Sequence, residues 1–188
     1  MQLLIADTGP VNYLILIGQI DLLPRMFEKV VLPDAVQVEL SNPGAPKLVQ
    51  RWVASLPSWV EIVETQSIKP VAGIHKGEAA AIALALAVSL HADLLLMDDR
   101  KGVTEAERQG LKVTGTLGIL DLAAERGFIN FDQTIKHLRE TTFRIPGALL
   151  DGLLKKHAWE VILTKTARAF GPPSARWRRR RKLGKKSE

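Results

Sequence analysis

Five short runs with strand character, separated by helical stretches, constrain this chain more than any other feature. They are Leu3-Leu4-Ile5-Ala6, Val30-Val31-Leu32, Val60-Glu61-Ile62-Val63, Leu94-Leu95-Leu96-Met97 and Lys112-Val113-Thr114. The first and fourth are continuously apolar and stop abruptly at acids, the pattern of strands buried on both faces of a parallel sheet. The third alternates, as an edge strand does. Between them lie helical stretches at Val11–Ile17, closed by Gly18, and at Leu22–Phe27. Others follow at Asp34–Leu40, ended by Asn42-Pro43-Gly44, and at Leu48–Leu56. Gly77-Glu78 opens a further helix through Leu90, apolar nearly all round and therefore buried. Val103–Gln109, Leu117–Glu125 ending at Gly127, Phe131–Arg139 and Ala148–Trp159 complete the set. Strand and helix in alternation predict an α/β fold with a central, mostly parallel sheet flanked by helices.

Charge divides the chain unevenly. The 188 residues carry a net charge of +6, yet residues 172–188 hold eight of the 26 basic groups and one of the 20 acids. Residues 1–171 keep 18 basic and 19 acidic groups, so the body is nearly neutral. Gly171-Pro172-Pro173 breaks any helix, and the basic low-complexity run beyond it is expected to be disordered. The predicted division is a folded domain over 1–160 and a basic tail over 161–188. In that tail Arg176, Arg178, Arg179, Arg180, Arg181 and Lys182 could neutralise nucleic-acid phosphates, and Trp177 could stack on a base. A merely solubilising extension is the equal alternative.

Several function classes are excluded. With no cysteine there is no disulfide framework, thiolate metal site or thiol nucleophile. His75, His91, His137 and His157 show no zinc-like spacing, and neither a dinucleotide fingerprint nor a P-loop occurs. The start has no basic leader and Asp7 interrupts its apolar run, while Ser89, His91 and Asp93 break the best membrane candidate. The expectation is a cytoplasmic protein with no membrane association.

Open parallel sheets place their sites at the carboxyl ends of strands, where strand order reverses. The first strand ends at Asp7 and the fourth at Asp98-Asp99. If these strands flank the reversal, their carboxylates converge, and converging carboxylates need protons or a cation. Glu78 at a helix start and Glu39 late on another helix can join them. An all-oxygen set without His or Cys suits Mg²⁺ or Mn²⁺, the ions used to cleave phosphodiesters.

The ordered motifs resemble the PIN-domain nucleases. They are Leu4-Ile5-Ala6-Asp7-Thr8, Val38-Glu39-Leu40, Gly77-Glu78 with its Ala-rich helix, and Leu95-Leu96-Met97-Asp98-Asp99-Arg100. Within that family the chain looks most like the VapC-like toxin group of prokaryotic toxin–antitoxin pairs. Val113-Thr114-Gly115-Thr116-Leu117-Gly118-Ile119-Leu120, then Ala123, Arg126-Gly127 and Phe143-Arg144-Ile145, are similar to that group's closing elements. The resemblance spans roughly residues 3–158. It implies a three-layer PIN-like fold and a Mg²⁺- or Mn²⁺-dependent endoribonuclease, probed on RNA and restrained by a cognate antitoxin, with homodimers common. It also implies Asp7, Glu39, Glu78 and Asp98 as the catalytic metal-binding acids. Asp99 is the alternative to Asp98, which is favoured because it directly follows the apolar strand. Thr8, Asn12 and Thr116 take supporting places. Nothing in the resemblance covers the tail.

Each signal has an ordinary structural alternative. Asp7 could simply cap the next helix, Glu78 could suit a helix dipole, and Asp98-Asp99 could be a solvated turn. Thr8 and Thr116 could be cap hydroxyls. A non-catalytic PIN-like RNA-binding or ribosome-associated module, using its basic tail, is the rival function. A phosphatase on a similar sheet is disfavoured, because Asp7-Thr8-Gly9 lacks a second Asp two residues on.

Overall fold

A computed structural model describes residues 3–64, 92–145 and 147–170. The helix expected from Gly77-Glu78 to Leu90, with Glu78 itself, and the basic tail from residue 171 lie outside them. The described chain runs β1 (Leu3–Ala6), α1 (Thr8–Leu16), α2 (Leu22–Met26), β2 (Lys29–Pro33) and α3 (Asp34–Leu40). There follow α4 (Lys47–Ala54), β3 (Val60–Val63), β4 (Ala92–Leu96), α5 (Arg100–Arg108) and β5 (Val113–Thr114). Then come α6 (Thr116–Glu125), α7 (Phe131–Arg139) and α8 (Gly147–Phe170). The described residues divide into two compact units, one up to Arg144 and one from Ile145. The expected boundary after residue 160 lies inside α8.

All five strands are parallel and ordered β3-β2-β1-β4-β5. The chain therefore builds outward from β1 through β2 to β3, then returns to the other side of β1 for β4 and β5. The reversal of strand order falls between β1 and β4. The alternating run at Val60–Val63 takes an edge, as its pattern predicts.

Register explains why the central runs are apolar on both faces. Ile5 stands beside Val31 on one neighbour and Leu95 on the other. These three pack with Met97 and with Ala106 of α5, forming the core of one face. The alternate residues Leu4, Ala6, Val30, Leu32 and Leu96 are buried as well. Parallel strands covered on both sides need this composition. Leu4, fully buried on the central strand, should be sensitive to truncation: Leu4→Ala is expected to lower the unfolding free energy by about 2–5 kcal/mol. Urea denaturation reads this directly, and an unchanged midpoint would contradict the burial described.

The helix boundaries follow local chemistry. Gly18 (φ 66°) and Gly127 (φ 73°) adopt the left-handed conformation just past α1 and α6, as helix-ending glycines do. Three boundaries differ clearly from expectation: α5 starts at Arg100, three residues before Val103, α8 runs past Trp159 to Phe170, and α1 starts at Thr8, three residues before Val11. Asp7-Thr8-Gly9-Pro10 ends the strand yet also supplies the first helical turn. Pro10 is tolerated there because first-turn N–H groups have no intrahelical acceptor to lose.

Candidate metal centre at the β1–β4 reversal

Asp7 follows the last residue of β1, and its own N–H donates to the Leu96 carbonyl of β4 at 2.9 Å. Ladder bonding thus carries Asp7 alongside the end of β4, two residues ahead of Asp98. Met97 in turn donates its N–H to the Thr114 carbonyl at 2.8 Å, holding the β4 end against β5. Asp7 occupies the N-cap position of α1, but its carboxylate makes no capping hydrogen bond, and the residue is only 3% exposed. The capping alternative for Asp7 therefore has no support here.

Asp98 and Asp99, adjacent in sequence, have different surroundings. Asp99 is the N-cap of α5, and its Oδ2 accepts from the N–H groups of Lys101 (2.8 Å) and Gly102 (2.9 Å). Asp98 turns instead to the start of α6. Thr116 donates its N–H to Asp98 Oδ1 at 2.8 Å and its hydroxyl to Oδ2 at 2.5 Å. A carboxylate oxygen accepts more than one bond, so each retains acceptor capacity. Burial pushes the Asp98 carboxyl above its ordinary range, and the two Thr116 donors pull it back only in part. Thr116 itself is fully buried.

Glu39 lies near the end of α3, on the helix that follows the neighbouring strand β2. Thr8, the first residue of α1, donates its hydroxyl to Glu39 Oε2 at 2.6 Å. Thr8 is bonded directly to Asp7 in the chain, so this contact brings α3 to the carboxyl end of β1. Asn12 lies one turn after Thr8 on α1 and is half-buried.

Asp7 and Asp98 thus stand at the carboxyl ends of β1 and β4, Thr8 on the helix leaving β1, Glu39 on the helix leaving β2 and Thr116 on the helix leaving β5. Glu78, Trp177 and the tail basic residues Arg176, Arg178, Arg179, Arg180, Arg181 and Lys182 lie outside the described residues. Among the described residues no three Asp, Glu or His side chains stand close enough to hold one ion. The donor chemistry nonetheless suits a hard divalent cation, since Asp7 and Asp98 offer carboxylate oxygens from the ends of adjacent strands.

A family model described as a PIN domain matches residues 3–158. The chain belongs to the PIN-domain family. PIN domains are generally nucleases, and PIN nucleases generally use divalent metals. The match covers every element of the sheet and both acids at its reversal. A search of curated proteins returned no match to the chain. Among the described residues no helix of this PIN domain is long and apolar enough to cross a membrane.

One residue of this PIN domain's site escaped the sequence reasoning. Gly115 joins β5 to α6, and a Cβ there would stand 2.6 Å from Asp98 Oδ1. A glycine between a strand and a helix was visible in the sequence, but the atom it makes room for was not.

Proposed function

We propose that this PIN domain is a Mg²⁺- or Mn²⁺-dependent endoribonuclease, the toxin component of a toxin–antitoxin pair. The observation that supports a metal site is the placement of buried Asp7 and of Asp98 at the ends of the adjacent strands β1 and β4, where strand order reverses. Asp7, Asp98, Glu39 and, from outside the described residues, Glu78 would hold the metal. Bound there, a hard divalent cation supplies Lewis acidity toward the scissile phosphate and its attacking water. Thr116 fixes the orientation of Asp98 through both carboxylate oxygens, and Thr8 fixes Glu39. The burial of Asp7 limits its movement, so its carboxylate is oriented before substrate arrives. RNA as substrate, an antitoxin partner and a homodimer rest on the ordered motif set, which resembles the toxin group.

Purified protein should cut a mixed RNA pool with Mn²⁺ and stop with EDTA. Folded, antitoxin-free protein that leaves RNA intact would instead favour the non-catalytic RNA-binding module.

Asp99 separates this reading from its alternative at the neighbouring acid. Its carboxylate serves α5, so Asp99→Ala should cost about 1 kcal/mol of stability, the usual loss on removing a cap. Cleavage at saturating Mn²⁺ should stay within a few-fold of the parent. A loss comparable to that of Asp98→Asn would move the ligand assignment to Asp99.

For the tail, we propose phosphate neutralisation by its basic residues. RNA affinity at low salt should then fall on truncation to residues 1–171, and the slope of log affinity against log salt should flatten. Equal binding by both chains would remove that role.

A further inference from the structure

We infer that Gly115 is a positioning residue for the proposed metal site: its missing side chain leaves the space in which Thr116 holds the Asp98 carboxylate. The inference rests on the metal-site reading above and adds to it a residue with no donor atom of its own on a side chain.

Two ordinary reasons for a glycine fail at this position. Its backbone is extended, at φ −102° and ψ −178°, which any residue adopts, so no left-handed conformation requires it. It is also the N-cap of α6, where Ser, Thr, Asp or Asn would bring a side-chain hydrogen bond and glycine brings none; the Asp98 carboxylate accepts the Thr116 N–H instead. Glycine gives up a cap here and adds chain entropy to the unfolded state.

What remains is space. A Cβ at 115 would stand 2.6 Å from Asp98 Oδ1, closer than real Cβ contacts allow, and its next neighbour, the Met97 carbonyl oxygen, would be at an ordinary 3.5 Å. The obstructing atom is therefore the carboxylate oxygen that accepts the Thr116 N–H. Asp98 Oδ2 is held by the Thr116 hydroxyl, so the carboxylate cannot swing aside while keeping both bonds. Any side chain at 115 displaces the Asp98 carboxylate from its seat. Gly102 and Gly118 are also crowded, but against the flexible Met97 thioether and the Thr114 hydroxyl. Among the described glycines, only at 115 does the obstruction fall on a carboxylate of the proposed site.

The test uses full-length protein and two readouts. Calorimetric titration with Mn²⁺ should show Gly115→Ala binding the ion ~10–100-fold more weakly, the scale for residues that orient a ligand. The kcat for RNA should fall with it, while KM stays within about twofold because no substrate contact is removed. A purely structural role would lower stability and leave Mn²⁺ affinity and kcat unchanged, and that result overturns the inference. Urea denaturation of the double-mutant cycle with Asp98→Ala supplies the second readout. Without the carboxylate oxygen, Gly115→Ala should cost no stability. An equal cost in both backgrounds overturns the inference even if Mn²⁺ binding is lost. If the parent binds no Mn²⁺ and cuts nothing, the nuclease reading falls separately. The cycle still decides whether the absent side chain serves Asp98: coupling supports it and additivity refutes it.

Discussion

Asp98→Asn should unfold at a higher temperature than the parent in EDTA and yet cut RNA about 10²–10³-fold more slowly, the scale for losing one charge-stabilising group. Both effects come from the same carboxylate. Burial raises the Asp98 carboxyl above the ordinary 3.8, and the Thr116 hydroxyl and N–H only partly oppose that shift. The folded protein therefore binds this proton more readily than the unfolded chain does. By linkage, metal-free stability is fullest below about pH 3.8 and is lost as pH rises through the raised folded value. Asparagine has no such titration. The stability gap between variant and parent should be absent in acid, open across that window and stay constant above it. Each ~1 kcal/mol of such a gap would move the midpoint by about 2–4 °C in a chain of this size. Saturating Mn²⁺ should reverse the ranking, since ion at a hundred times its Kd adds about 2.7 kcal/mol to the parent alone. Differential scanning calorimetry across pH, with and without Mn²⁺, checks both signs. A variant less stable than the parent in EDTA would show that ionised Asp98 supports the fold rather than burdening it.

Asp7→Asn should be as damaging to cleavage as Asp98→Asn, and the double variant should be little worse than the more damaging single one. Groups that hold one charged centre act as a unit, so removing the second after the first costs little. Asp7 qualifies because it is buried at the end of the central strand, makes no side-chain cap on α1, and is tied by its N–H to the Leu96 carbonyl of β4, two residues before Asp98. Rates of the four proteins on one RNA give the cycle. Multiplying losses would mean that the two carboxylates act in separate steps or at separate sites.

Much of this fold was legible in the residues. Continuous apolar runs of four residues at 3–6 and 94–97, too short for buried helices, read as covered strands, and their abrupt stops at Asp7 and Asp98 mark the carboxyl ends where α/β sheets build sites. Gly18 and Gly127 announced helix ends because their left-handed backbone disfavours other residues. The start of α1 was less legible: Pro10 suggests a break, whereas a first helical turn accepts it. The choice between Asp98 and Asp99 rested on adjacency to the strand alone. The different partners of these two carboxylates, the start of α6 and the start of α5, depend on long-range packing that no local pattern encodes. Gly115 illustrates the same limit. Its requirement is for space beside a side chain 17 positions away, and neither propensity nor turn chemistry signals it. The place of Glu78 in the site remains a proposal from the motif order.

The measurement that bears most directly on the account is cleavage of a mixed RNA pool by purified full-length protein in Mn²⁺, with EDTA and with Asp98→Asn alongside. The account predicts cutting that requires both the ion and the Asp98 carboxylate. Undiminished cutting by Asp98→Asn, or cutting that persists in EDTA, would contradict it.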